Sequence, residues 1–344
     1  MESIENPGFS NPPAVSLPNP PPQNPSKGNG LKILLGILLG FSIIANIVLV
    51  MVLVTAVIVF ATGKNEYYLE NVLEEGPASN KIAVIKIEGI IDNKLAENVG
   101  WQIKTAKKDK NVKAVIFKTN SPGGSVSASD RIYNQICEFR AETGKPAVAF
   151  METVAASGGL YTSCGCDKII AEPSTITGSI GVIMGHFVLQ DLFEMKLGIK
   201  PVIVKSGPHK DWPTSFEPVT EEQIQYISDK LIMPAYERFV SIVAKSRKGL
   251  LSIEQVKALA DGSIYNTKEA MENKLIDKTG YMEDAVKLAK SLASISDARV
   301  IEYEKPFSVE SFLEAKSIIK IDKDSLYELA SPQLMYLWDA GISR

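Results

Sequence analysis

Ala155-Ala156-Ser157-Gly158-Gly159 surrounds one hydroxyl with the smallest side chains available. A serine nucleophile on a tight strand-to-helix turn needs such neighbours, because they admit a substrate closely. The same residues also suit a serine that caps a helix. A second turn, Asn120-Ser121-Pro122-Gly123-Gly124-Ser125, lies between an apolar run and a helical one. Its backbone N–H groups can therefore point at an anion or a developing oxyanion. It lacks the Gly-Lys-Ser/Thr ending of a phosphate loop.

A serine nucleophile also needs a base. The only histidines are His186 and His209, so a Ser-His-Asp triad would have to use one of them. His186 sits between Gly185 and Phe187 in a strand-like run. His209 belongs to Ser206-Gly207-Pro208-His209-Lys210-Asp211, directly before a lysine. An uncharged lysine is the alternative base, and a lysine takes that role only where burial and neighbours remove its charge. Spacing alone leaves His186, His209 and Lys210 all open. Cys137, Cys164 and Cys166 are odd in number, and the last two are too close in sequence for a good disulfide. With two distant histidines they also make a poor zinc set. Buried small residues are the expectation, with a redox pair at Cys164/Cys166 as the alternative, and no metal or cofactor is expected.

These turns need a scaffold. Apolar, β-branched runs at Ile82–Ile87, Val112–Phe117, Ala147–Phe150, Ile169–Ala171 and Val202–Val204 predict buried strands. Helical patterns at Lys94–Lys107, Val126–Glu142 and Leu189–Met195 fall between them, an α/β rhythm. A long helix is predicted from the capping box at Thr220 to about Ser246, kinked at Pro234. Further helices are expected at Ile253–Ala260, Thr267–Asn273 and Met282–Leu292. Residues 65–300 therefore read as one domain. Residues 301–344 carry spaced apolar positions, from Phe307 and Phe312 to Leu334 and Leu337, and read as a C-terminal extension that forms an interface or covers the active site.

The N-terminal region differs. Of 19 prolines in 344 residues, eight lie between Pro7 and Pro25, which predicts a disordered tail over residues 1–32. Residues 33–62 carry no charge and are long enough for a transmembrane signal anchor. Lys27 and Lys32 precede this span, whereas Glu66, Glu70, Glu74 and Glu75 follow it. The basic flank should stay cytoplasmic, placing the remainder outside the cytoplasmic membrane. With 37 Lys+Arg against 40 Asp+Glu, no overall basic field exists to hold nucleic acid.

Four motifs in order carry a resemblance: Asn120-Ser121-Pro122-Gly123-Gly124, Ala155-Ala156-Ser157-Gly158-Gly159, Thr177-Gly178-Ser179-Ile180-Gly181-Val182 and Ser206-Gly207-Pro208-His209-Lys210-Asp211. Together they resemble the signal peptide peptidase A family over roughly residues 80–290, in its short bacterial form with one catalytic unit. The resemblance implies Ser157 as nucleophile, Lys210 as general base and Ser179 as the hydroxyl that orients the lysine. It implies Gly124 and Gly158 as the oxyanion-hole donors. It also implies a Clp-protease/crotonase-like spiral of β-β-α units and a homo-oligomeric ring whose subunits share active sites. The expected function is a membrane-anchored serine endopeptidase acting on hydrophobic peptides such as cleaved signal peptides. A crotonase-like acyl-CoA enzyme and an inactive membrane scaffold are the alternatives. Leu160-Tyr161 supplies one aromatic where the family often has two, and Cys164-Gly165-Cys166 stands where Ala and Ser are usual, which bears on substrate preference and redox sensitivity.

Overall fold

The computed structural model describes residues 30–61, 68–304 and 333–338. The expected Pro-rich run Pro7–Pro25 and the arm positions Phe307 and Phe312 lie outside these residues. The chain forms two units, residues 1–65 and 66–344. In the first, helix α1 (Gly30–Ala61) is apolar along most of its length, and its Gly30–Ala56 stretch is long and apolar enough to cross a membrane. Its 32 residues would extend about 48 Å, beyond a ~30 Å hydrocarbon layer.

The second unit is built on a mostly parallel sheet. Strands β1 (Leu69–Glu74), β2 (Lys81–Ile91), β3 (Val112–Ser125), β4 (Ala147–Ala156), β5 (Lys168–Ala171) and β6 (Ile176–Gly178) come first in the chain. They are followed by β7 (Ile183–Gly185), β8 (Ile264–Asn266), β9 (Lys278–Thr279), β10 (Arg299–Glu304) and β11 (Gln333–Leu337). The spatial order is β1-β10-β2-β3-β4-β5-β9, with β1 alone antiparallel along this path. Helices α2 (Asn93–Lys108) and α3 (Val126–Thr143) make the crossovers from β2 to β3 and from β3 to β4.

Strand alternation sorts the core into two layers. Ala83, Ile85 and Ile87 of β2 face one cluster, with Ile103 of α2 and Ile132 and Ile136 of α3. Ile82 and Val84 face the other, against Ala285, Val286 and Ala289 of α9 (Met282–Leu292). A sheet covered on both faces has no solvent side, which is why its strands read as continuous apolar runs.

The long strands give the spiral. The first half of β4 pairs with β5, whereas Val154, Ala155 and Ala156 at its end pair with Ile176, Thr177 and Gly178 of β6. One strand thus pairs with two successive strands before its helix begins, the β-β-α pattern of the Clp-protease/crotonase-like class. The helix that begins there is α4 (Gly158–Ser163), and all six of its residues are buried.

The capping box at Thr220 is present, with Gln223 N–H donating to Thr220 Oγ1. It opens α5 (Glu221–Ile227), which runs through a π-helical turn at Ser228–Ile232 into α6 (Met233–Ser246). Pro234 follows this π-helical turn closely, so the irregularity in the helix lies just before the proline. Two expectations change. Val202–Val204 forms no strand and is exposed, at 85% for Val202 and 95% for Val204, because no sheet edge receives it. Leu189–Met195 contains only a short turn that ends as a π-helical segment, Leu192–Lys196. The later helices, α7 (Ile253–Leu259) and α8 (Thr267–Glu272), fall where the pattern puts them.

Candidate active site

Ser157 sits at the junction of β4 and α4 with φ 51° and ψ −110°. Positive φ is uncommon for a residue with a Cβ and costs of order 1–3 kcal/mol. The neighbours hold it there: its N–H donates to Gly178 O (2.8 Å) and its carbonyl accepts from Tyr161 N–H (2.9 Å). Ser179, next in the adjoining strand end, has φ 51° as well, is buried, and donates its N–H to Ser263 O (2.7 Å). Two strained serines therefore stand side by side across the β4–β6 pair. The Ser157 side chain caps no backbone group, so helix capping does not account for it.

The glycines bring backbone against backbone. A Cβ on Gly158 would lie 3.1 Å from Gly123 Cα and 3.2 Å from Gly124 N, and one on Gly124 would lie 2.2 Å from Ile91 O. As the first residue of α4, Gly158 has an N–H with no intrahelical acceptor. Gly123 has φ +105°, and the place of its missing Cβ is 2.8 Å from Gly158 N and 2.0 Å from Tyr336 O. Gly158 N and the Tyr336 carbonyl oxygen thus border the same space beside Gly123.

That carbonyl belongs to β11. Met335, Tyr336 and Leu337 pair antiparallel with Ser125, Gly124 and Gly123 of β3, while Gln333, Leu334 and Met335 pair with β7. Trp338 N–H donates to Pro122 O (2.8 Å). The Tyr336 ring is fully buried, stacked on Tyr161 at 4.8 Å between centroids and tilted against Phe239 at 4.8 Å. Its hydroxyl donates to Ala235 O (2.8 Å). Motif reading missed this aromatic box, because Tyr161, Phe239 and Tyr336 are far apart in the chain. The one signal was the single aromatic after Ser157-Gly158-Gly159.

Ser157, Ser179, Gly124 and Gly158 are brought together, and Lys210 is not. Ser157 Oγ is buried with no hydrogen-bond partner among the described residues. Lys210 is exposed on a loop, its N–H donating to Gly207 O (3.2 Å). The histidines serve Ser157 no better. His209 packs on Trp212 (4.3 Å) and Tyr226 (5.0 Å), and His186 Nε2 is buried without a hydrogen-bond partner among the described residues. The Lys210 loop is tied by Lys205 to Asp211 (2.8 Å) and follows an exposed apolar stretch that includes Phe187, Met195, Val202 and Val204. Cys137, Cys164 and Cys166 are free thiols. Burial pushes the Cys164 thiol up to about 11 and Cys166 well above its ordinary value, so both stay protonated and inert at neutral pH.

Residues 140–296 match peptidase family S49, and residues 81–187 match the NfeD1b N-terminal domain. An Enterococcus faecium protein, named provisionally as signal peptide peptidase SppA, is 38% identical over 70% of this chain and 72% of its own length. The chain belongs to peptidase family S49. Protease 4 of Haemophilus influenzae is 37% identical over 70% of this chain, which spans 39% of that longer relative. Among solved structures, a ClpP1 variant of Listeria monocytogenes aligns at TM-score 0.40 with 20% identity, over 59% of this chain and 94% of that one. Membership in S49 makes the chain a serine peptidase, and Ser157, strained and buried beside glycine amides, is the candidate S49 nucleophile.

Proposed function

We propose that the protein is a membrane-anchored serine endopeptidase that cuts hydrophobic peptides, cleaved signal peptides among them, through a Ser157–Lys210 dyad. Neutral Lys210 takes the Ser157 proton as Oγ attacks the scissile carbonyl. Ser179 orients the lysine amine, the Gly124 and Gly158 N–H groups receive the oxyanion, and water releases the acyl group. The observation that carries this reading is the place of the Tyr336 carbonyl oxygen: β11 pairs antiparallel with β3 and sets it against Gly123, in the space that Gly158 N also borders. An extended substrate strand would present its carbonyl in the same way. The C-terminal extension then acts as an active-site-covering arm.

Lys210 reaches Ser157 from a neighbouring copy. The unpartnered Ser157 Oγ, the exposed Lys210 and the exposed apolar stretch before it support a ring of like subunits in which each completes the next. Helix α1 anchors the chain with its N-terminus cytoplasmic and the peptidase unit at the outer face of the membrane, as Lys27 and Lys32 favour. The test is turnover of a fluorogenic hydrophobic peptide by full chain in detergent. Ser157→Ala and Lys210→Ala should each abolish it, while a well-mixed equal blend should regain about a quarter of wild-type activity if random neighbours complete a site. No recovery in mixed assemblies would rule out sharing, and full activity of Lys210→Ala would move the base elsewhere.

A further inference from the structure

A polar chain reaches the aromatic box from its solvent edge. Tyr161 OH donates to Asp130 Oδ1 (2.5 Å), and the same oxygen accepts from Arg238 Nε (2.8 Å) and Nη2 (2.6 Å). Asn134 Nδ2 donates to the other carboxylate oxygen (3.0 Å), so both oxygens of Asp130 are occupied. The Asp130 and Arg238 side chains are 27% and 49% exposed. An ion pair so open to water adds little stability, so its geometry calls for another explanation. Tyr161 provides one: its ring is fully buried, lies one helical turn after Ser157 and carries the stacked ring of Tyr336 at an interplanar angle of 27°.

We propose that Asp130 and Arg238 are specificity-determining positioning residues, which lock the Tyr161 ring as the platform that selects a flat aromatic side chain on the acyl side of the cut bond. This rests on the peptidase reading, since it takes Tyr336 as the stand-in for that substrate residue. Three contacts set the preference. The Tyr161 face stacks on the incoming ring, Phe239 closes one side, and Ala235 O accepts a phenolic hydroxyl. The hydrogen bond that this hydroxyl adds makes tyrosine the preferred residue over phenylalanine. Asp130 and Arg238 also line a cavity of about 980 Å³ with Asn93, Ser125, Gln333 and Met335, which places the pair at the rim where the preceding substrate residues would lie.

The test compares kcat/KM for four peptides differing only at that position, Tyr, Phe, Leu or Ala, using full chain in detergent. An arm that competes for the cleft lowers every peptide's apparent affinity by the same factor, so selectivity ratios are unaffected by it. Wild type should favour Tyr over Ala by about a hundredfold and over Phe by several-fold. Tyr161→Phe, Asp130→Asn and Arg238→Gln should each lower the Tyr-to-Ala ratio about tenfold, the scale of one lost hydrogen bond to a charged group. Loss of all four peptides in proportion, with the ratio kept, would reduce the cluster to a structural role and overturn the proposal. Peptide binding to Ser157→Ala chain supplies an answer independent of catalysis. Equal affinity for the Tyr and Ala peptides would sink this proposal, whereas selective binding without wild-type turnover would sink the peptidase reading and keep the pocket.

Discussion

At the level of single residues, the candidate site depends on backbones that approach too closely for side chains. In Gly158→Ala the new methyl meets Ser129 Oγ at 2.6 Å and Gly123 Cα at 3.1 Å. Separating α4 from the β3 turn moves both amides, and displacement on the ångström scale is worth about a hundredfold in rate. Steady-state turnover and a melting curve on this variant should show activity falling far more than stability. A second residue governs stability in acid. Asp277 is largely buried; burial raises its carboxyl, but the Ile169 N–H and the Arg247 guanidinium together outweigh this and hold it below the usual range. Because the folded value is depressed, the contribution is complete above the unfolded value near ~3.9 and is lost as pH falls through the folded one. Arg247→Leu should cost about 3 kcal/mol at neutral pH and start the acid loss at higher pH, as denaturant unfolding at pH 7, 5 and 4 would register.

Among the elements, β11 has the most direct bearing on function. It lies between β3 and β7 and buries Tyr336 completely. Removing that ring should weaken the strand's hold on the cleft. Tyr336→Ala in the full chain is therefore expected to raise initial rates on added peptide by about tenfold, given roughly 1.4 kcal/mol per decade and 3–5 for deleting a buried aromatic, part of it regained by refilling. An unchanged rate would show that the arm leaves the cleft open in solution. The elements also show what the sequence made legible. Continuous apolar runs marked β2 to β5, and capping chemistry marked Thr220, because those signals are local. The same logic overreached at Val202–Val204, where β-branched residues lack a sheet edge. It could not join Asp130 to Arg238 or Tyr161 to Tyr336, because pairs separated by a hundred residues or more leave no periodic trace in one chain. The four glycine-marked turns were legible, whereas the exposure of Lys210 depends on tertiary placement.

For the whole molecule, the two halves of the proposed dyad differ in kind. Ser157 and all of α4 are interior, pinned to β6 and covered by Phe239 and Tyr336. Lys210 rides an exposed excursion whose apolar side chains face outward. In hydrogen exchange, the Ser157 amide should open only with global unfolding, whereas amides around Lys210 should exchange through local opening. Equal protection in both places would contradict this division. Its consequence is thermal: warming should silence the protein well before it melts, because the outer half loosens first while the nucleophile's cradle stays folded. Cooling should then restore full activity without refolding, so the temperature at which activity is lost and the temperature of melting would report two different structures.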